Sequence, residues 1–383
     1  MTLRDGDTGE TFKYVQLTDR YVNWWNRVAK ALQENFADRM IGAWAYESYV
    51  NPPLRERVHP QVGIGFVGFG RRWVDDYERA EDRRSWAGWA EKTDFMMYRP
   101  NTIDIASIAF PLNYTRRVAE DITWLHANGM QAAEGGQYGH WSALGLAYYV
   151  RAKLYWDPDV DVEALIDDYC RAGFGPAADR VRAYFDLLEA MTDEIAALEG
   201  AHSEQGVIWR SRQMEAIGQA PPRMWLAGAE DQPGVDVEAL GDDMEQEIEA
   251  APDWARRRAI PRERMRLIAM VFVDYQERLD ALLTEAEQIA ATHPDPSYAR
   301  RVAFLRYALT YAEVCAKPLI YWYDADTDEV EAWIDRRLQF LRGVTDRYAL
   351  DVPRILERHA RYGMGHGRGY HAREREHHLP LSP

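Results

Sequence analysis

The chain has 383 residues, with 46 Lys+Arg against 62 Asp+Glu and a formal net charge of -16. An acidic balance without a basic stripe argues against nucleic acid and anionic membranes as partners. No apolar run has the length of a spanning helix, and the opening MTLRDGDTGETFKYVQ lacks the layout of a secretion signal, although an N-terminal truncation would hide one, so localisation stays open.

In chain order, Thr18-Asp19 resembles a helix start, and an amphipathic helix follows to about Phe36 with Tyr21, Trp24, Val28, Ala31 and Leu32 on one side. With no strand signal before it, the chain opens on this helix. Met40 to Tyr46 reads as a strand ending at Glu47, and Asn51-Pro52-Pro53 forces a turn or extended loop. Gln61 to Phe69 is a second strand and Arg83 to Lys92 a helix. Phe95 to Tyr98 is a short strand running into Arg99-Pro100-Asn101. Tyr114 to Asn128 is a helix stopped by Gly129, Met130 to Ala133 is the fourth strand, and a helix follows from Ser142 to Leu154. Strands alternating with helices at this spacing are the βα units of a parallel sheet or barrel.

From Asp161 onward only helical patterns remain: Val162–Ala172, Ala177–Leu198, Val237–Glu249, Pro261–Ala291, Ser297–Ala316, Asp328–Tyr348 and a weaker one at Val352–Tyr362. The fold class expected is α/β plus all-α: a partial (β/α)8 barrel of about four βα units over residues 1–157, then a helical domain over 158–362, with 363–383 as a disordered tail. Cys170 and Cys315 sit in helical patterns and read as small buried residues.

Strand-end acids at a barrel mouth are where such folds place chemistry. Two stand out. Glu47 ends the first strand, between Tyr46 and Tyr49 and with Trp44 just before; Glu134 ends the fourth and is followed by Gly135-Gly136. Glycoside hydrolysis uses such carboxyl groups as acid, base or nucleophile. Both are assigned as candidate catalytic residues from position alone. Trp44, Tyr46, Tyr98, Arg99, Asn101, Tyr138, His140 and Trp141 are candidate substrate-binding residues, since aromatic faces meet sugar C–H faces and their polar neighbours meet hydroxyls. For His140 a satisfied, partly buried histidine is an equal alternative, and Arg99 has a second role in holding one of the glutamates. Of 14 Trp, nine lie at or before Trp156, which suits a carbohydrate site as it also suits an aromatic-rich core.

Other patterns carry less. Gly63-Ile64-Gly65-Phe66-Val67-Gly68 spells G-x-G-x-x-G inside an apolar run, without the helix start that nucleotide binding needs. The Asp75–Arg84 charge run reads as a solvated loop or helix start, and His366, His371, His377 and His378 lack partners of a designed metal site, so no metal and no cofactor are expected.

Tyr149-Val150-Arg151-Ala152-Lys153-Leu154-Tyr155-Trp156-Asp157-Pro158, with Asp167-Asp168-Tyr169-Cys170 and Phe174-Gly175-Pro176-Ala177-Ala178, resembles a glycoside-hydrolase-like barrel family known as domain of unknown function 4838. Tyr21 and Asn23, Ala45-Tyr46 and Pro52-Pro53 fit the same pattern, and the resemblance covers about residues 10 to 195. Some members are similar to endo-β-N-acetylglucosaminidases, and the barrel is related to those of hexosaminidases and α-glucuronidases. The resemblance implies action on a glycan containing N-acetylhexosamine or uronic acid. It also implies a further N-terminal half barrel, which would lie before Met1 and carry key acids. Without it the chain is a truncated hydrolase, or else a non-catalytic carbohydrate-binding or scaffold protein. Its open sheet edges then call for a homo-oligomer or the missing half to cover them.

Overall fold

The computed structural model describes residues 2–4, 11–13, 17–46, 49–68, 76–100, 111–135, 140–199, 262–323, 327–353 and 355. The helical patterns at Val237–Glu249 and most of Val352–Tyr362, and the tail 363–383, lie outside these residues. What is described is mostly helical, around one small parallel sheet.

The chain opens not on a helix but on an antiparallel hairpin, β1 (Thr2–Arg4) with β2 (Thr11–Lys13). Strands this short carry too little alternation to be read from sequence. Helix α1 (Thr18–Gln33) follows. Thr18 and Asp19 mark its start but do not cap it. The Thr18 hydroxyl donates to the Asn51 carbonyl at 2.8 Å, and Asp19 Oδ1 accepts from the Arg55 and Glu56 amides at 2.9 Å each, so both side chains fasten the loop after the next strand.

Strands β3 (Ile41–Ala45), β4 (Val62–Phe66), β5 (Met96–Tyr98) and β6 (Met130–Ala133) pair in parallel and in sequential order. Helix α2 (Asp76–Ala90) lies between β4 and β5, and α3 (Thr115–Ala127) between β5 and β6. The row Ala45, Phe66, Tyr98 is buried beneath the helix layer, where Phe66 meets Trp86 edge-on at 5.7 Å. Trp86 and Trp89, both fully buried on α2, donate their indole N–H groups to the Asn128 and Val50 carbonyls at 2.9 and 2.7 Å.

Helix α2 starts seven residues before the expected Arg83, because its charges are paired rather than solvated. Arg79, almost fully buried, sets Nε 3.2 Å and Nη2 2.8 Å from Asp121 Oδ1 on α3, and Arg83 Nη2 reaches the same oxygen at 3.0 Å. Burial alone would lower the arginine's pKa; bonds and charge from Asp121 overcome it and raise it.

Beyond β6 come α4 (Trp141–Trp156), α5 (Val162–Phe174), α6 (Ala178–Glu199), α7 (Arg262–Ala291), α8 (Pro296–Tyr323) and α9 (Thr327–Gly343). The Asp161 side chain caps α5 by accepting from the Glu163 amide at 2.9 Å. One buried cluster runs from Val22 through the sheet to Ala316, so α4, α5 and α6 share their core with the α/β part. Both cysteines are buried free thiols, and burial pushes Cys170 up to about 12. Among the described residues no helix is long and apolar enough to cross a membrane.

An ion network ties α3 to α5 and α6: Arg116 pairs with Glu163 at 2.6 Å and Asp186 at 2.9 Å, and Arg182 pairs with Glu163 and Asp167. Arg116 first, then Arg182, hold the Glu163 carboxyl below its ordinary value against the effect of burial. A depressed acid stabilises above the ordinary carboxylate range, and that stability is lost as pH falls through the lowered pKa. The melting temperature is therefore expected to drop between about pH 5 and about pH 3, and Glu163→Gln to flatten the drop by a small amount, since the pair is half exposed. Identical melting profiles for the two proteins across that window would remove the assignment.

Candidate functional site

The parallel ladder continues past the C-terminal ends of the strands. Val67 N donates to Ala45 O at 3.0 Å, Arg99 N to Phe66 O at 3.0 Å and Glu134 N to Tyr98 O at 2.9 Å. Residues just beyond β5 and β6 therefore keep strand alternation. Trp44 pairs across with Gly65, Met97 and Ala132 in one row, on the face opposite the buried row. Arg99 and Glu134 come one step after the buried-face residues Tyr98 and Ala133, and so share the face of Trp44.

Three candidates meet there. The Arg99 guanidinium carbon lies 4.8 Å from the centre of the Trp44 ring, and Arg99 Nε is 3.3 Å from Glu134 Oε1. Trp44 is 40 % exposed, and the Glu134 and Arg99 side chains 44 % and 29 %, so the group is reachable from solvent. Gly65 makes the arrangement possible: a Cβ there would fall 2.3 Å from two atoms of the Trp44 ring. The indole occupies the space a side chain at that glycine would take. Gly63 gives way in the same manner to the Phe95 ring, 2.8 Å from where its Cβ would be, so these two glycines of the G-x-G-x-x-G run clear room for aromatics within β4.

The other candidates are placed differently. Tyr98 is buried on the helix side of the sheet, edge-on to Tyr155 at 6.1 Å, and burial pushes its phenol well up. Tyr46, half-buried, accepts at its carbonyl from the Tyr49 amide at 3.0 Å. His140 is fully buried in a left-handed conformation, φ 68°, and its Nδ1 accepts from the Asp351 amide at 3.3 Å. The Trp141 amide donates to Tyr348 O at 2.8 Å and the Ser142 hydroxyl to Ala349 O at 2.7 Å. His140 and Trp141 are thus gripped by the segment after α9. Glu47, Asn101 and Tyr138 lie outside the described residues.

Two residues that were not among the candidates adjoin the cluster. Gly65 is one. Tyr155 is the other: its ring sits 3.6 Å from where a Cβ on Gly135 would be, directly after Glu134, and burial pushes its phenol up to about 12. Only Gly65 carried a signal, as a glycine alternating with bulky residues inside a strand.

The cluster combines an aromatic surface, a planar cation and a carboxylate within contact of one another. Such a set meets the C–H face of a sugar ring and donates to and accepts from its hydroxyls. Among the described residues no group of three or more His, Cys, Asp or Glu is placed to hold a metal ion.

Comparison with curated proteins and with solved structures gives no match. Residues 6–186 match a family model described as Domain of unknown function (DUF4838), a stretch that contains the described parallel sheet and ends within α6. Trp44, Arg99 and Glu134 all lie inside the stretch that matches the DUF4838 family model.

Proposed function

We propose that this is a glycoside-hydrolase-like protein that takes a glycan containing N-acetylhexosamine or uronic acid on the face of Trp44, Arg99 and Glu134. The observation that carries the reading is the meeting of those three side chains at the C-terminal edge of a sequentially ordered parallel sheet. That edge is where (β/α)8 barrels hold their active sites, and we read the sheet as part of such a barrel. Glycoside hydrolysis needs two carboxyl groups. Glu134 serves as one, in acid/base or substrate-orienting work, and Glu47, two residues past β3 in the sequence, is our candidate for the other.

A non-catalytic carbohydrate-binding protein is the second reading. What favours it is the Arg99 contact to Glu134 Oε1, which suits a carboxylate that orients a ligand. Glu134→Gln separates the two. Calorimetry with chito-oligosaccharides and glucuronate-containing oligosaccharides should show binding by the wild type. If the chain is an enzyme, aryl glycosides of the same sugars should turn over, and Glu134→Gln should lose about 10²–10⁴-fold in rate while keeping most of its affinity. Binding with no turnover by either protein selects the binding reading. No binding and no turnover by the wild type rejects both.

A further inference from the structure

Among the described residues His140 is the single non-glycine residue with a positive φ, 68°, and it is fully buried. The left-handed region crowds a Cβ against the neighbouring carbonyl, so a side chain stays there only where its surroundings hold it. Three hydrogen bonds do so here, all of them with the segment after α9. The Asp351 amide donates to His140 Nδ1 at 3.3 Å, the Trp141 amide to Tyr348 O at 2.8 Å and the Ser142 hydroxyl to Ala349 O at 2.7 Å. That segment is held in turn. Asp346 Oδ1 accepts from the Tyr348 and Ala349 amides at 2.9 and 3.3 Å, and Leu350 is buried in one cluster with Tyr311 of α8 and Leu341 of α9.

Glu134 stands at the other end of the same connection. Its amide extends the ladder between β5 and β6 by one bond, to Tyr98 O at 2.9 Å. Of the five residues between Glu134 and His140, three are glycine: Gly135, Gly136 and Gly139. Glycine loses more freedom on ordering than any other residue, so a connection of this composition has little stiffness of its own. Where it runs depends on what its two ends are fixed to. The sheet fixes one end, and His140 with its partners fixes the other.

We propose that His140 is a positioning residue for Glu134. It acts through the chain between them, by holding the far end of the connection in a left-handed turn against residues 346–351. The helical region is then no separate appendage: the placement of the Glu134 carboxylate beside Arg99 depends on a segment more than 200 residues further along the chain. The inference rests on the reading of Glu134 as the carboxylate of a glycan-binding face, and its test has a readout that needs no glycan.

Hydrogen exchange of the full chain, followed by mass spectrometry over the peptide 130–139, tests it with His140→Asn and His140→Gly. Asparagine tolerates the left-handed region, and its Oδ1 is bonded to Cγ as Nδ1 is, so it can accept from the Asp351 amide. Glycine adopts the same turn with no strain but has no acceptor. A residue needed only for its backbone turn would be replaced best by glycine. His140→Gly is instead expected to speed exchange over 130–139 by about tenfold, the worth of one hydrogen bond, with β4 unchanged and with His140→Asn at the wild-type rate. Affinity for chito-oligosaccharides or glucuronate-containing oligosaccharides, read by calorimetry, is expected to fall by about tenfold in the glycine variant and to be kept in the asparagine variant. Wild-type exchange in His140→Gly, or exchange in His140→Asn as fast as in His140→Gly, overturns the proposal. Should His140→Gly not fold, Asp346→Ala takes its place, loosening the contact from its other side: faster exchange over 130–139 supports the proposal and unchanged exchange overturns it. A wild type that binds no glycan rejects the glycan reading, and the exchange rates still decide the part of His140.

Discussion

Asp121→Ala is expected to lower the unfolding free energy by about 3–5 kcal/mol, the largest loss of any single substitution considered. Asp121 is 2 % exposed and accepts from both Arg79 and Arg83, which α2 brings in from some forty residues earlier in the chain. Removing the carboxylate takes from the buried Arg79 guanidinium the acceptor of its Nε and Nη2, whereas Glu120, at 3.0 Å from Nη2, is exposed. A stranded buried charge costs far more than the intact pair contributes, so the size of the effect measures desolvation, not ion-pair strength. Glu120→Ala is the control: its side chain is 65 % exposed, and the expected loss is about 0–1 kcal/mol. Urea unfolding followed by tryptophan fluorescence reads both, and equal midpoint shifts for the two variants would contradict the account.

The second large effect is expected from one methyl group. Gly65→Ala sets a carbon 2.3 Å from the Trp44 ring, which has to leave its place over the strand and part from Arg99. Overpacking of this kind costs about 1–3 kcal/mol. If the face binds glycans as proposed, affinity is expected to fall at least tenfold as well. A double variant isolates the cause. Gly65→Ala with Trp44→Leu relieves the clash, so stability should recover while glycan affinity stays low, a non-additivity that independent sites would not show. Stability losses that simply add would mean that Trp44 does not occupy the space above Gly65 in solution.

The parts of this structure that were legible in the sequence are those fixed by local pattern. β6 has the bounds that Gly129 and the short apolar run give it, and α3, α5 and α6 begin and end within a residue or two of their periodicity. Long-range pairing was not legible. The early start of α2 depends on Asp121, and the use of Thr18 and Asp19 depends on a loop more than thirty residues away. At the candidate site, alternation from known strand ends is enough to set Arg99 and Glu134 on one face, but the stacking of Arg99 on Trp44 needs the cross-strand neighbour of Gly65. The burial of His140 depends on residues 348–351, which no local pattern connects to it.

That last contact has a kinetic consequence. The Ser142 hydroxyl reaches a carbonyl 207 residues further along the chain, and the His140–Asp351 bond spans 211. While the ribosome is still adding residues beyond α8, the α4 N-terminus has no partner for Ser142 and His140 turns no nitrogen toward Asp351. The α/β part therefore finishes folding only after nearly all of the chain has emerged. Closures of such high contact order are slow relative to helix formation, and they place the last step of folding at the N-terminus of α4.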